Sequence, residues 1–204
     1  MYEEIDCYVL RLIEQSSPER TAWNIERMRA GKPATWNYID GCMMTALLAM
    51  TEITGDQRCF DFAESFIDSF VNDDGTIRTY KAEGHALDDV NEGRVLFPLF
   101  EKTGKEKYKK AADFLWQQLE AQPRTGEGSF WHKQIYPNQV WLDGIYMAQP
   151  FAGSMKSISA AGITATSSAR SKRCMTGCGM KRRACITMGT ISAGKLSGAT
   201  RKRA

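Results

Sequence analysis

The last quarter of the chain lacks two classes of residue that folded domains need. No Asp or Glu follows Asp143, and no aromatic residue follows Phe151. Residues 153–204 contain one Leu and no Val, and consist mostly of Ser, Thr, Ala, Gly, Met and basic residues. Because such a segment has little apolar surface to offset the entropy of ordering, we expect it to be disordered. The sequence therefore predicts two unlike parts, 1–152 and 153–204.

The charge of the two parts differs in sign. The chain has 27 Lys and Arg and 24 acidic residues, and 11 of the basic residues lie in 153–204. This leaves the first part with a net charge of −8, although the whole chain carries +3. The overall charge is therefore the sum of two parts of opposite sign, and it does not indicate a nucleic-acid or membrane partner.

Other features that the chain lacks narrow the class of protein. No apolar run approaches the ~18 residues of a membrane span, and the acidic start MYEEID does not resemble a secretion signal, so we expect a cytoplasmic location. Two His residues in the whole chain argue against a His-rich metal site. Cys7, Cys42 and Cys59 fall in helical patterns that suit small buried side chains, and they do not suggest a disulfide framework.

Apolar residues recur at helical spacing along most of the first part, and no convincing strand is evident. The stretches with this spacing are 2–14, 38–53, 57–71, 88–102 and 106–120. Thr54-Gly55-Asp56 and Thr103-Gly104-Lys105 supply turn signals after the second and fourth of them. The pattern is typical of an all-α protein.

An internal repeat organises these helices. Segments 54–63 and 103–112 are similar in sequence, and Asp40 and Asp89 each stand 14 residues before the turn threonine. A third copy begins at Trp141. Because a single helical hairpin cannot bury its apolar face alone, the hairpins must stack on one another. Three hairpins before Ala152 indicate the opening half of a larger helical toroid.

The stretch 122–151 has the densest pattern of chemically versatile residues. Trp131, His132, Lys133, Tyr136, Trp141 and Asp143 fall within thirteen residues of one another. Aromatic faces beside hydrogen-bonding groups suit sugar rings, and a partly desolvated carboxylic acid suits a general acid. The alternatives are a helix-terminal role for Asp143 and ordinary core packing for Trp131 and Trp141.

A second candidate site lies at the corresponding end of the preceding repeat, in residues 85–89. Inner helices of a toroid would direct both junctions at one central cavity, so that Asp88 or Asp89 could face Asp143 across a substrate. Helix capping is the alternative for both carboxylates, and we expect it to hold for one of them. The sequence does not separate the roles of Asp88 and Asp89.

Three motifs together resemble one family of enzymes. W-N-Y-x-x-G (36–41), ALDDVNEGRVLFPLF (86–100) and QPRTGEGSFWHKQIYPNQVWLDGIYMAQPF (122–151) are similar to the unsaturated rhamnogalacturonyl hydrolases of glycoside hydrolase family 105. The resemblance covers most of 1–152, and the related unsaturated glucuronyl hydrolases share the fold. It implies the N-terminal part of an (α/α)6 barrel, here an incomplete one of about three hairpins.

The resemblance also implies a reaction and a set of site residues. The substrate would be a pectin-derived oligosaccharide whose terminal uronate carries a C4=C5 double bond, and hydration of that bond would release the sugar. Asp143 would be the general acid/base and Asp88 the second carboxylate. The pocket would include Tyr38, His132, Lys133 and Trp141, with Lys133 on the uronate carboxylate. No metal or organic cofactor is implied, and no nucleic-acid or membrane partner.

Residues 153–204 do not resemble that family. With suitable codons, a reading shifted by one base can restore acidic, aromatic and glycine-containing sequence, so we hypothesise a frameshift near Ala152. Cys174, Cys178 and Cys185 only weakly suggest a metal site, and the basic clusters 181–183 and 201–203 only weakly suggest nucleic-acid binding. We therefore predict a truncated and inactive hydrolase; the alternative is a non-catalytic helical protein with a basic tail.

Overall fold

The computed structural model describes residues 2–160 and 191–192, and the regular secondary structure of this described part is almost entirely helical. The eight α-helices are α1 (Tyr2–Glu14), α2 (Ile25–Arg29), α3 (Tyr38–Thr54), α4 (Gln57–Asp68), α5 (Leu87–Glu92), α6 (Leu96–Thr103), α7 (Glu106–Ala121) and α8 (Leu142–Ala160). The predicted all-α class is confirmed, and so is the incomplete (α/α) toroid.

One short pairing was not expected from the sequence. β1 (Gln139–Val140) and β2 (Ile191–Ser192) pair antiparallel, with Gln139 opposite Ser192 and Val140 opposite Ile191. Two-residue strands carry too little alternation to be recognised in a sequence.

The repeated turn has the same structure in both copies. Gly55 and Gly104 end α3 and α6 with left-handed φ angles of +75° and +68°, which glycine adopts without steric cost. The threonine before each glycine donates its hydroxyl to the carbonyl four residues earlier, at 2.8 Å for Thr54 and 2.7 Å for Thr103. Each hydroxyl also accepts the N–H two residues later. The sequence repeat thus corresponds to two helical hairpins.

The predicted helix over 88–102 is interrupted between α5 and α6 by a 3-10 turn at Gly93–Val95. Pro98 has no N–H to donate to the carbonyl of Arg94, and its ring crowds that carbonyl, so the α-helical ladder cannot pass through unchanged. Gly93 is needed at the break because an added Cβ would lie 2.3 Å from Leu115 Cδ1 and 2.9 Å from Phe151 Cε2.

The inner helices begin at one end of the structure. The indole N–H of Trp36, just before α3, donates to the carbonyl of Asp89 in the first turn of α5 at 2.8 Å. A Cβ at Gly144, in the first turn of α8, would lie 3.3 Å from Leu87 Cδ1 at the start of α5. α5 packs between α3 and α8, and the starts of the three helices lie together.

A single apolar core joins the hairpins. Its largest fully buried side chains include Leu47, Phe66, Leu96, Leu115 and Phe151, which come from α3, α4, α6, α7 and α8. Every hairpin therefore depends on its neighbours for burial, as the repeat predicts.

The prediction of buried cysteines is right for one residue and wrong for two. Cys59 is fully buried, whereas Cys7 and Cys42 are exposed, and all three are free thiols. Helical spacing alone does not show which apolar face of a helix meets a neighbour. α1 packs mainly on α4, and the Cys42 sulfur accepts from Asn91 Nδ2 of α5 at 3.7 Å.

The predicted boundary at Ala152 falls within α8, which continues to Ala160 and buries Met155. Residues 161–190 and 193–204 lie outside the described part, so the disorder and frameshift of the tail stay predictions. Within the described part, no helix combines the length and the apolarity needed to cross a membrane.

Candidate active site

Three of the predicted site residues converge. Asp88, His132 and Asp143 each place one nitrogen or oxygen within 4.8 Å of those of the other two. His132 Nε2 lies 3.4 Å from Asp88 Oδ1, and Lys133 Nζ lies 2.6 Å from Asp88 Oδ2. The structure thus brings the two sequence stretches, 85–89 and 122–151, into one cluster.

An aromatic stack flanks this cluster. The Trp141 ring stacks on His132 at 4.2 Å between centroids and 9° between planes, and on Tyr136 at 5.0 Å and 22°. Trp141 is only half-buried, and its Nε1 donates to Gln139 Oε1 at 3.1 Å. Trp131 lies outside this stack, and within the described residues its buried Nε1 has no hydrogen-bond partner.

Backbone hydrogen bonds fix the two stretches together. The N–H of Leu87 donates to the carbonyl of His132 at 3.1 Å, and the N–H of Gln134 donates to the carbonyl of Gly84 at 3.0 Å. The N–H of His132 donates to the carbonyl of Gln139 at 2.9 Å. His132 is 1% exposed, so the imidazole is held rigidly beside Asp88.

Two buried glutamines that sequence reasoning missed brace the same region. The amide of Gln122 donates to the carbonyls of His85 and Trp131 at 2.7 and 2.9 Å, and so bridges both stretches. Gln118 donates to the carbonyl of Ala86 at 3.2 Å. Both glutamines are 3% exposed. Gln118 lies on the apolar face of α7 and Gln122 directly follows that helix, and this was the one signal in the sequence, because a polar residue on a buried face must find partners.

The structure separates Asp88 from Asp89. Burial opposes ionisation of Asp88, but hydrogen bonds from His132 and Lys133 outweigh it and hold the pKa of Asp88 below its ordinary value. Burial and the neighbouring Asp88 charge raise the pKa of Asp89 to about 6. Asp88 therefore faces the cluster as a carboxylate, whereas Asp89 lies outside the three-residue cluster.

Stability should depend on pH in opposite ways through these two neighbours. Because the folded-state pKa of Asp89 is raised, its stabilisation is complete below the unfolded pKa and is lost as pH rises through about 6. In urea denaturation, the free energy of unfolding of Asp89→Asn should not show this decrease with pH, which amounts to at most about 3 kcal/mol in the wild type. An unchanged pH slope in Asp89→Asn would contradict the assignment.

Asp88→Asn is the matched control for that measurement. The pKa of Asp88 is lowered in the folded state, so its stabilisation is present above the unfolded pKa and is lost as pH falls through the folded pKa. Asp88→Asn should therefore be less stable than the wild type above the unfolded pKa and should lack the fall in stability towards acid pH, whereas Asp89→Asn should retain that fall.

Asp143 lies exposed in the first turn of α8, and its Oδ1 accepts the N–H of Gly144 at 2.8 Å. The sequence suggests a partly desolvated carboxylic acid at Asp143, whereas in the described part of the chain the Asp143 side chain is exposed. Asp40, in the first turn of α3, is by contrast fully buried and accepts from Trp23 Nε1 at 2.7 Å and Asn37 Nδ2 at 2.6 Å. A carboxylate in the first turn of a helix thus serves packing in α3 and lies open in α8.

Tyr38 begins α3 and is 40% exposed. Within the described part, no hydrogen bond or ring contact joins it to the cluster, so the structure places it near the shared helix starts without showing its role.

Gly144 is required where α8 begins, because an added Cβ would lie 2.8 Å from His132 Nδ1. We expect Gly144→Ala to displace the imidazole and to destabilise the fold by about 1–3 kcal/mol. Gly153→Ala, on the same helix, is the control, since its Cβ would meet nothing within 4 Å. Chemical denaturation measures both, and equal stabilities of the two variants would rule out the proposed clash.

The spacing of Asp88, His132 and Asp143 would also suit a cation, since each offers one ligand atom. The ammonium of Lys133 already occupies Asp88 at 2.6 Å and opposes a metal ion there by charge. The donor set therefore fits proton chemistry better than metal binding.

The hairpin fold and the pairing of carboxylates with stacked aromatics agree with the helical-toroid glycoside hydrolases that the motifs resemble. A sequence profile of Glycosyl Hydrolase Family 88 matches residues 11–161, and the chain belongs to that family. The structure is similar to that of a C. acetobutylicum ATCC 824 glycoside hydrolase from family 105, with a TM-score of 0.58 and 44% sequence identity. The match covers 60% of this chain and 34% of that hydrolase, about a third of its length. The kinship predicted from the motifs is confirmed.

Proposed function

We propose that the site belongs to an unsaturated uronyl hydrolase, which hydrates the C4=C5 bond of the terminal 4,5-unsaturated galacturonate of pectin-derived oligosaccharides and so releases the next sugar. The convergence of Asp88, His132 and Asp143 within 4.8 Å carries this proposal, because it sets two carboxylates beside a fixed imidazole.

Recognition of the sugar would rest on Lys133 and Trp141. The Lys133 ammonium, already on Asp88, can also pair with the uronate carboxylate at the rim of the cluster. Trp141 is half-buried and stacked on His132 and Tyr136, so this aromatic stack would form one apolar wall of the sugar pocket. Tyr38, exposed at the start of α3, would offer its hydroxyl to the sugar edge.

Asp143 would supply the proton. In this reaction its carboxylic acid protonates C4, and the electrons of the double bond leave a positive centre at C5 that the ring oxygen stabilises. Water adds at C5 and returns its proton to the Asp143 carboxylate. The resulting hemiketal opens to a ketone, and the hemiacetal left at C1 expels the second sugar.

Asp88 would remain ionised throughout. Its hydrogen bonds from His132 and Lys133 stabilise the carboxylate, which makes it a poor proton donor. A fixed negative charge beside the substrate favours the positive centre that develops at C5. Asp143 carries no such cationic partner among the described residues, which supports the division of roles.

Calorimetric titration of the 204-residue chain with unsaturated galacturonyl-rhamnose tests the proposal. We expect saturable binding, with weaker binding of the same disaccharide lacking the double bond. A preference for an unsaturated glucuronyl disaccharide would favour the related hydrolases as the finer assignment. Absence of binding to every unsaturated uronide would favour a non-catalytic helical protein instead.

Turnover is best tested in a chimera, because the sequence predicts that this chain alone is inactive. Residues 1–160 would be joined to the part of the family 105 hydrolase that follows the aligned region. The 204-residue chain is assayed beside it, and substantial turnover by that chain would contradict the predicted inactivity.

A further inference from the structure

Glu92 is a fully buried acid that the proposed reaction does not use. It ends α5, one helical turn after Asp88, and it is 0% exposed. One carboxylate oxygen accepts the backbone N–H of Asn37, and within the described residues the other has no hydrogen-bond partner. Burying a carboxyl group with only one oxygen hydrogen-bonded costs free energy, so its presence here calls for a structural or functional reason.

The surroundings of Glu92 show what it holds. Asn37 is the residue before Tyr38, and its side chain caps α3 by accepting the N–H groups of Ile39 and Asp40 at 3.0 and 3.2 Å. The bond to Glu92 therefore fixes the residue from which α3 starts.

Two further contacts join the same elements. Trp36 Nε1 donates to the carbonyl of Asp89 at 2.8 Å, almost one turn before Glu92. Gly41 lies so close to α5 that an added Cβ would be 2.6 Å from Glu92 Cα. The start of α3 is thus attached to α5 at Asp89 and at Glu92, on the helix that carries Asp88.

The surroundings of Glu92 favour the uncharged form of its carboxyl group. Burial, followed by the nearby Asp40, raises the pKa of Glu92 well above its ordinary value, and Asp89 and Cys42 act in the same direction. The Asn37 N–H opposes them. A protonated carboxyl keeps one carbonyl oxygen as acceptor, which is the group that Asn37 needs.

We propose that Glu92 is a positioning residue, which attaches the start of α3 to α5 and so sets Tyr38 relative to Asp88. The inference rests on the proposed function, in which Tyr38 and Asp88 meet the same sugar. Glu92 would not touch substrate, and its effect would pass through Asn37.

Hydrogen exchange in the 204-residue chain tests the attachment without any ligand. Glu92→Gln keeps an acceptor oxygen at the same place, whereas Glu92→Met has similar length and none. We expect the Asn37 amide to exchange at the wild-type rate in Glu92→Gln and at least about tenfold faster in Glu92→Met, beyond any change in α7 amides. If the Asn37 amide in Glu92→Met exchanges faster only by the factor that the α7 amides show, the change reflects global stability and the proposal is overturned.

Titration with unsaturated galacturonyl-rhamnose tests the consequence for the site. We expect wild-type affinity in Glu92→Gln and about tenfold weaker binding in Glu92→Met, since small displacements of binding groups are costly. Weakened binding in Glu92→Gln would overturn the proposal, even if Glu92→Met does not fold. If the wild-type chain does not bind the disaccharide, the proposed function fails, and the exchange rate of Asn37 alone decides the role of Glu92.

Discussion

Asp143→Asn is expected to lower turnover of the chimera by about 10²–10⁴-fold, the range typical of a lost general acid or base. In the proposed reaction the same group would donate a proton to C4 and accept one from water, so the effect should fall near the upper end. Asparagine keeps the side-chain oxygen that accepts the Gly144 N–H at 2.8 Å, so α8 should start as before.

Asp73→Asn is the control for this variant, because Asp73 lies exposed in a turn far from the cluster in sequence. Its turnover should equal that of the unmodified chimera. Thermal denaturation of all three proteins shows whether folding is retained. If Asp143→Asn folds normally and still turns over at the unmodified rate, the catalytic assignment is wrong.

Lys133→Met is expected to weaken binding of the unsaturated disaccharide about tenfold to a hundredfold in the calorimetric titration. Hydrogen bonds to charged groups contribute about 1.5–3 kcal/mol, and each ~1.4 kcal/mol changes affinity tenfold. Loss of the ammonium also removes one of the two bonds that lower the pKa of Asp88, so the pKa of Asp88 should rise.

Lys32→Met gives the comparison, since Lys32 is exposed in the loop before α3. It removes the same charge from the chain without touching the cluster, and it should bind the disaccharide as the wild type does. Equal affinities of Lys133→Met and Lys32→Met would exclude Lys133 from recognition of the uronate.

Much of the fold could be predicted because the repeat encodes it locally. Gly55 and Gly104 end their helices in the left-handed conformation, and the threonine before each makes the same hydrogen bonds. The break at Gly93–Val95 was not predicted, although Pro98 marks it, because apolar spacing continues across the proline. Periodicity reports which residues are apolar, and it does not report the continuity of the hydrogen-bond ladder.

The sequence singled out Asp88, His132 and Asp143, which the structure brings together, but it did not predict their arrangement. His132 and Lys133 come next to each other in sequence, yet their joint attachment to Asp88 depends on Gln122 and on the backbone bonds that join 84–87 to 131–139. The sequence left Asp88 and Asp89 equivalent. Their separation arises from which way each side chain leaves a short helix and from how deeply it is buried.

Part of the stretch 122–151 forms a turn that also occurs elsewhere in the fold. Gly128 adopts φ +90° and donates its N–H to the carbonyl of Thr125, and Gly75 makes the matching bond to Asn72 at φ +88°. The turn around Gly128 therefore has the same glycine conformation and the same hydrogen bond as the turn around Gly75. Composition alone cannot distinguish such a turn from a sugar-binding loop, since both favour glycine.

The ultraviolet absorbance of the unsaturated uronate, followed in the chimera with unsaturated galacturonyl-rhamnose as substrate, tests the central claim most directly. The account predicts that the absorbance of the C4=C5 bond disappears as rhamnose is released, and that the saturated disaccharide is left intact. Release of rhamnose from the saturated disaccharide at a comparable rate, or absorbance that persists while rhamnose accumulates, would contradict hydration of the double bond as the reaction of this site.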